Sequence, residues 1–196
     1  MSISPARTSC CLQAFFMNEK KKIAILIDGS NFYFKLKDIG LQNQLAIDFS
    51  SFSKFLANKN QIVFHKYYIG KVRTDGTTKL NKLHANQQKL FQHLLKHNIN
   101  YELGYLLKSD NKFHEKGVDV HMAVDILVNS YDKITDKIII ISSDTDLLPA
   151  IIKAKQLKKH IEYIGFSHQP SVAMVANCTS SRLLTKSELE KFVTNV

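Results

Sequence analysis

The residues of this chain best suited to chemistry are aspartates that follow runs of apolar residues. Asp28 comes directly after a wholly apolar run, and Asp144 comes after four isoleucines and two serines. Asp146 follows two residues later, and Asp119 lies in a separate segment, Lys-Gly-Val-Asp-Val, at residues 116–120. Ligands of open α/β sheets collect beyond the carboxyl ends of the strands. We therefore expect Asp28 and Asp144 to meet if their strands are neighbours.

Carboxylates crowded at one place repel one another unless a cation neutralises them. Oxygen ligands without His or Cys favour Mg²⁺ or Mn²⁺ over Zn²⁺. Such an ion lowers the pKa of a bound water and shields phosphate oxygens during in-line attack, so the acids indicate phosphodiester hydrolysis. Each acid alone also fits a structural role. Asp28, Asp144 and Asp146 could act as turn residues or helix caps, and Asp119 as a first-turn acid favoured by the helix dipole.

Two further polar residues stand close to these acids in the sequence. Asn31 either fixes its loop through a local side-chain bond or holds a metal-bound water. Asp125 shares a predicted helix with Asp119 but lies about 240° round it, at 100° per residue. The sequence leaves open whether Asp125 takes part in the site or pairs with the backbone or a lysine.

Strand-like and helix-like segments alternate along the chain from about residue 22. Apolar and β-rich runs predict five strands, at residues 23–27, 62–69, 101–107, 137–141 and 161–165. Amphipathic segments predict helices at residues 32–39, 48–58, 78–97, 117–131 and 146–160, with a last helix and a tail from about residue 171. This alternation predicts one doubly wound α/β domain, a three-layer α/β/α sandwich around a mainly parallel five-stranded sheet.

The apolar spacing of the two longest helices predicts which of their faces are buried. In the helix at residues 78–97 the predicted inner residues are Leu80, Leu83, Gln87, Leu90, Phe91, Leu94 and Leu95. In the helix at residues 117–131 they are Val120, Val124, Leu127 and Val128.

Composition divides the chain into three segments and excludes several classes of protein. Residues 1–20 predict a disordered N-terminal extension, residues 21–185 a folded domain, and residues 186–196 a C-terminal helix or tail. The apolar patch at residues 14–16 is too short for a signal sequence, and no apolar run of about eighteen residues is present, so we expect a cytoplasmic protein. The three cysteines fit neither a disulfide framework nor a zinc site.

Positive charge dominates the chain: 27 Lys and Arg against 17 Asp and Glu give a net charge of +10. This surplus favours a polyanionic partner, although a solvated lysine surface is the other interpretation. Tyr33, Phe34 and Phe113 could stack on unpaired bases, with a core position as the alternative for Phe34. We therefore expect single-stranded RNA, and no membrane, as the partner. Six basic residues are candidates for contacting it: Lys71, Arg73, Lys79, Lys108, Lys112 and Lys116.

Three segments, in this order, resemble the NYN domain family, in its LabA-like branch of the PIN-like nuclease superfamily. They are residues 25–32, residues 116–120 with Asp125 in the same helix, and residues 141–149. The resemblance assigns residues 21–185 to an NYN/PIN-like domain and implies a sheet of strand order 3-2-1-4-5. It also implies metal-dependent ribonuclease activity. The sequence departs from the family pattern at Ser143, where a glycine is common, and at Leu147, where an aromatic residue is usual.

The leading hypothesis is therefore a Mg²⁺- or Mn²⁺-dependent endoribonuclease. The resemblance implies that Asp28, Asp119, Asp144 and Asp146 line the site. In this hypothesis Asp28, Asp119 and Asp144 are metal ligands, Asp146 is a ligand or a water-orienting base, and Asn31 supports the ligands from behind. Two alternatives remain open: an RNA-binding or regulatory module that keeps a structural cation without cleaving, and a phosphatase that acts on a small phosphoester. The RNA target, the number of metal ions and the formation of a homo-oligomer are also left open.

Overall fold

The computed structural model of the chain describes residues 20–41, 43–72, 76–109 and 112–194. For residues 106–109 and 112–115 it describes the backbone alone. The predicted N-terminal extension, apart from Lys20, and the candidate Arg73 lie outside the described residues.

Seven strands of the described chain form one sheet, in the order β4-β3-β2-β1-β5-β6-β7. Every neighbouring pair is parallel except β3 and β4, which form an antiparallel hairpin. The strands are β1 (Lys22–Asp28), β2 (Gln61–Gly70), β3 (Asn100–Ser109), β4 (Lys112–Lys116), β5 (Lys137–Ile141), β6 (His160–Phe166) and β7 (Ser180–Leu184).

The five predicted strands correspond to β1, β2, β3, β5 and β6, and their implied order is confirmed. The prediction of five strands was too low, because β7 adds a sixth parallel strand where a tail was expected and β4 adds an antiparallel one. Both added strands are five residues long and lie at the edges of the sheet. Edge strands need no continuous apolar run, so their sequences lack the signal that marks a central strand.

Helices cover both faces of the sheet, which confirms the three-layer fold. Phe32, Phe52 and Leu94 belong to the core cluster on one face, while Met122 and Ile151 belong to the cluster on the other. Alternate residues of β1 enter the two clusters, as expected for a central strand buried on both sides. The helices are α1 (Gly29–Asp38), α2 (Phe49–Ala57), α3 (Thr78–Lys96), α4 (Val118–Tyr131), α5 (Leu148–Gln156), α6 (Val172–Asn177) and α7 (Lys186–Glu190). Two 3-10 helices span Gln44–Ala46 and Thr145–Leu147.

The predicted inner face of α4 was wrong. Val120, Val124 and Val128 are exposed, and Leu127 is only partly buried. The helix instead packs on the sheet through a stripe that begins at Val118 and includes two polar residues: Val118, Met122, Ile126, Asn129 and Ser130. Because α4 has apolar residues on nearly all sides, its spacing does not identify which side faces the sheet.

The prediction for α3 was right at four positions and wrong at two, and Leu80 is partly buried. Gln87, Leu90, Phe91 and Leu94 are buried, whereas Leu83 and Leu95 are exposed. Gln87 is buried because its amide serves the adjoining strand: Nε2 donates to the Gly70 carbonyl at 2.7 Å, and Oε1 accepts from the Val72 N–H at 2.9 Å.

Candidate metal centre and nucleic-acid interface

The carboxyl ends of β1 and β5 lie side by side and bring two of the predicted acids together. Ile27 pairs with Ile141 in the parallel register, so the residues that follow them, Asp28 and Ser142, are also adjacent. The Ser142 hydroxyl donates to Asp28 Oδ2 at 2.7 Å and accepts from the Asp144 N–H at 3.1 Å. One buried hydroxyl therefore connects Asp28 to the loop that carries Asp144.

Asp28 also caps α1, as one interpretation of the sequence expected. Its Oδ1 accepts from the Asn31 N–H at 3.0 Å. Residue 29 lies close against β2, and only glycine fits there. A Cβ atom on Gly29 would lie 2.2 Å from Tyr67 Cε1 and 2.7 Å from the Tyr68 carbonyl oxygen. Each carboxylate oxygen has two lone pairs, so capping does not exclude metal binding by Asp28.

The remaining acids lie at the starts of two other helices. Asp144 caps the 3-10 helix Thr145–Leu147, with Oδ1 accepting from the Asp146 N–H at 2.8 Å. Asp119 lies in the first turn of α4, directly after the turn at Gly117, whose φ of +86° favours glycine. The structural roles considered for Asp28, Asp119 and Asp144 are therefore present alongside their convergence.

Asp119, Asp144 and Asp146 offer carboxylate oxygens that all lie within 4.8 Å of one another. Asp28 is outside this group of three but lines the same pocket as Asp119 and Asp144. The pocket has a volume of about 290 Å³ and is lined by Asp28, Ser30, Asn31, Phe34, Val118, Asp119 and Asp144. We call it the acidic pocket. All four predicted metal ligands and Asn31 thus lie in or beside one small region of the molecule.

These donors fit a hard divalent cation. Two oxygens bound to one Mg²⁺ at about 2.1 Å lie at most about 4.2 Å apart, and the three carboxylates offer oxygens within 4.8 Å of one another. Three carboxylates without a His or Cys ligand in the group are the donor set that Mg²⁺ and Mn²⁺ prefer. The residues present therefore suit such an ion with only small side-chain adjustment.

Asp125 lies outside the group of three and holds α4 against the sheet. Its Oδ2 accepts from Tyr68 Oη at 2.6 Å and from Lys66 Nζ at 2.7 Å, and Lys66 also contacts Glu102 at 3.3 Å. Burial, followed by the bond to Asp125, raises the pKa of Tyr68, so this hydroxyl remains a donor at neutral pH. Of the two options left open for Asp125, these contacts correspond to pairing with a lysine.

The predicted basic residues that the structure describes lie near the same edge of the sheet. Lys71 follows β2, Lys79 lies in the first turn of α3, and Lys116 is the last residue of β4; all three are exposed. Lys108 and Lys112 belong to the hairpin of β3 and β4, but their side chains lie outside the described residues.

Two of the three aromatic candidates are described. Phe34 is 58% exposed, which excludes the core alternative, and its ring makes an edge contact with Tyr33 at a centroid distance of 5.4 Å. The Phe113 side chain lies outside the described residues. Among the described residues, no helix is both long and apolar enough to cross a membrane.

The sequence analysis missed Ser142, which connects Asp28 to Asp144. Its signal was present: Ser142 follows β5 just as Asp28 ends β1, so pairing of these two strands places them next to each other. A serine is common in loops and does not by itself attract attention as a site residue.

Comparison with known proteins identifies the family. The NYN domain family matches residues 22–184. The uncharacterized protein MJ0482 of Methanocaldococcus jannaschii is 29% identical over 144 residues, which cover 74% of this chain and 47% of that protein. The chain thus spans about half the length of this curated relative.

A solved structure is also similar. The protein of unknown function VPA0982 from Vibrio parahaemolyticus has a TM-score of 0.65 at 21% identity, over 86% of this chain and 96% of that chain. At this identity the similarity supports the fold alone. Because the family match covers nearly the whole described domain, this chain belongs to the NYN domain family, a PIN-like nuclease family.

Proposed function

We propose that this protein is a Mg²⁺- or Mn²⁺-dependent endoribonuclease of the LabA-like branch of its family, acting through residues 21–185. The observation that supports this most strongly is the convergence of the Asp119, Asp144 and Asp146 carboxylates beside Asp28, at the sheet edge. NYN domains are usually nucleases and typically depend on a divalent metal.

In this proposal the four aspartates have different tasks. Asp119, Asp144 and Asp146 would hold the ion, which would lower the pKa of a bound water and offset negative charge on the scissile phosphate. Asp28 and Ser142 fix the loop of Asp144, and Asp28 is the fourth candidate ligand. Asp146 is the exposed member of the group, which supports giving it the task of orienting the attacking water or accepting its proton. Asn31 lines the same pocket and supports a water there.

The proposed substrate is single-stranded RNA. The exposed lysines Lys71, Lys79 and Lys116 lie around the same edge as the acids and supply contacts for the phosphates that flank the scissile bond. Arg73, Lys108 and Lys112 extend this basic set along the chain. These residues are scattered over loops, a helix start and the β3–β4 hairpin instead of lying along one helix, which suits a flexible strand better than the groove of a duplex.

The test is cleavage of a labelled single-stranded RNA in Mn²⁺, then in excess chelator. We expect product from the wild-type protein with Mn²⁺, none with chelator, and a loss of at least about a hundredfold in rate for Asp144→Asn and Asp119→Asn, because the ion-binding carboxylates are lost. Asp132→Asn makes the same chemical change at an exposed position at the end of α4 and should cleave like the wild type. Circular dichroism verifies that each variant is folded.

Three outcomes would contradict the proposal. Undiminished cleavage by Asp144→Asn would remove the metal site from the mechanism. RNA binding without product, unaffected by chelator, would support the non-cleaving module. Turnover of an aryl phosphate together with indifference to RNA would support the phosphatase.

A further inference from the structure

A second cavity adjoins the acidic pocket at the same sheet edge. It has a volume of about 570 Å³ and shares two lining residues, Ser30 and Phe34, with the acidic pocket. Its walls come from α1, the 3-10 helix Gln44–Ala46, the end of β2 and α3. A molecule bound in the acidic pocket would therefore need to extend only past Phe34 to enter this cavity.

Apolar and aromatic side chains form most of the cavity surface. Tyr33 and Phe34 lie on one side in edge contact, and Leu83 lies on the opposite side, 46% exposed. Leu83 is one of the two α3 residues that the sequence placed in the core. Its exposure fits its place in the lining of this cavity, opposite Phe34.

The polar groups of the cavity are neutral amides and hydroxyls. None of the described residues that line it is charged. The Gln87 amide bonds to the Gly70 carbonyl and the Val72 N–H, which fixes its position in the lining. The Asn43 side-chain oxygen accepts from the Leu45 N–H at 3.2 Å. The Asn86 amide also lines the cavity and carries both N–H donors and a carbonyl acceptor that a ligand can use.

This chemistry suits a planar, neutral, polar-edged group and not a phosphate. A phosphate is bound most strongly by cationic side chains, and none of the described residues of this lining is cationic. A nucleobase needs an aromatic surface for its face and amides for its edge. A volume of this size is also within the range of pockets that hold small ligands.

We propose that this cavity, the base pocket, binds one unstacked nucleobase of the RNA strand whose scissile phosphate occupies the acidic pocket. The proposal rests on the proposed function for the identity of the strand, and it makes Phe34, Tyr33 and Asn86 determinants of where the strand is cut. Phe34 lies between the two pockets and would stack on the base next to the cleaved bond.

The first experiment needs no cleavage and uses small probes. Wild-type protein is titrated with uridine 5′-monophosphate, adenosine 5′-monophosphate and ribose 5-phosphate, and backbone NMR shifts are followed. We expect both nucleotides to shift residues 33, 34, 83 and 86, and ribose 5-phosphate, which lacks a base, to leave residues 83 and 86 unchanged. Equal shifts from all three compounds at these positions would overturn the base pocket.

The second experiment measures RNA affinity in a variant that does not cleave. In the Asp144→Asn background, Phe34→Ala should weaken binding of a labelled single-stranded RNA about tenfold, the loss expected from removing one base–aromatic stack. Tyr131→Ala is the matched control, an aromatic residue of similar exposure at the far end of α4, and should leave the affinity unchanged.

The two proposals fail in different ways. If RNA is cleaved and Phe34→Ala binds like Tyr131→Ala, the base pocket is overturned and the nuclease stands. If no RNA is cleaved but the nucleotides shift residues 83 and 86 and Phe34→Ala weakens binding, the base pocket is supported as part of an RNA-binding module. In that case only the hydrolytic function fails.

Discussion

Ser142 shows how a single hydroxyl can fix the geometry of a cluster of charges. It is 1% exposed and uses its hydrogen as a donor to Asp28 and its oxygen as an acceptor for the Asp144 N–H. Asp28 is thereby joined to the backbone of Asp144. A hydrogen bond of a hydroxyl to a carboxylate is stronger than one between neutral groups, so this link restrains both loops.

We predict that Ser142→Ala lowers RNA cleavage and Mn²⁺ affinity in addition to lowering the free energy of unfolding. The free energy of unfolding should fall by about 1–3 kcal/mol, because a buried carboxylate oxygen and an N–H lose a partner. RNA cleavage and Mn²⁺ affinity should fall as well, since the Asp144 loop loses its restraint. Urea denaturation, a cleavage assay and calorimetric titration with Mn²⁺ measure the three effects.

Ser130→Ala provides the control for this prediction. Ser130 is also buried, but its hydroxyl donates to the Ile126 carbonyl within α4. The Ser130→Ala variant should have a lower free energy of unfolding but an unchanged affinity for Mn²⁺. A loss of Mn²⁺ affinity of the same size in both variants would show that the effect of Ser142 is only general destabilisation.

A second residue-scale prediction concerns pH. Burial lowers the pKa of His65, on β2, to about 4. Between pH 6.5, the ordinary pKa of histidine, and pH 4, the His65 imidazole is protonated in the unfolded chain but stays neutral in the folded one. The free energy of unfolding should therefore fall as the pH drops from 6.5 to 4. The full loss from this residue is up to about 3 kcal/mol.

Urea denaturation of the wild type and His65→Gln at several pH values isolates this effect. Burial also lowers the pKa values of His97 and His160, but those residues contribute to both proteins and cancel in the difference. We expect the wild type to lose more stability than the variant on going from about pH 7 to pH 4.5. Parallel curves would rule out His65 as the source.

At this scale the sequence predicted the acids but not their connections. Asp28 and Asp144 could be found because each follows a run of buried apolar residues, and the ends of such strands meet at one edge. The link through Ser142 could not be found, because it depends on which strands are neighbours and in what register. The pairing of Asp125 with Lys66 likewise depends on the rotation of α4 against the sheet.

At the scale of elements, the rotation of α4 about its axis is the feature that the sequence predicted wrongly. Val120, Val124 and Val128 recur at every fourth residue and form a plausible inner face, yet they are exposed. Two polar contacts hold the helix in its actual orientation: the Asp125 carboxylate bonds to Lys66 and Tyr68 on β2. These contacts also place Asp119, about one and two-thirds turns earlier, at the acidic pocket.

A pair of substitutions tests this orientation. Met122→Ala should lower the free energy of unfolding by about 2–5 kcal/mol, because Met122 is fully buried and its removal leaves a cavity. Val124→Ala, two residues away on the exposed side, should change it by less than about 0.5 kcal/mol. Chemical denaturation measures both. The reverse order of effects would show that α4 packs through the face that its valine spacing suggests.

The central strands could be predicted from their apolar sequences, whereas the outermost strands of the sheet could not. β1 and β5 are buried on both faces, which requires apolar residues at every position and leaves a clear signal. β7 has only one neighbouring strand and reads Ser-Ser-Arg-Leu-Leu, which is also compatible with a loop. The number of strands in such a sheet is therefore harder to predict than the order of its central ones.

At the scale of the whole molecule, the positive charge is not confined to the edge that carries the acids. Lys20, Lys21, Lys59 and Lys137 line a broad depression at the opposite edge, where the parallel strands begin. Asp136 is the one acidic residue in the described lining, and Lys137 also pairs with Glu162 at 2.6 Å. Net charge alone thus indicates an attraction for polyanions but not the path of the strand across the surface. Because the acids lie at only one of these two edges, we expect the RNA strand to bind there.

The salt dependence of RNA binding distinguishes these edges. In the Asp144→Asn background, Lys71→Ala combined with Lys79→Ala should reduce the slope of log affinity against log salt concentration by about 1.4, because each phosphate contact on a single strand contributes about 0.7. Lys20→Ala combined with Lys59→Ala removes the same charge from the opposite edge and should leave the slope unchanged, since a strand seated in the acidic pocket does not reach those lysines. Titrations with a fluorescent single-stranded RNA at several KCl concentrations give both slopes. An equal reduction in the two double variants would mean that the strand crosses both edges, and a reduction in the second alone would separate RNA binding from the acidic pocket.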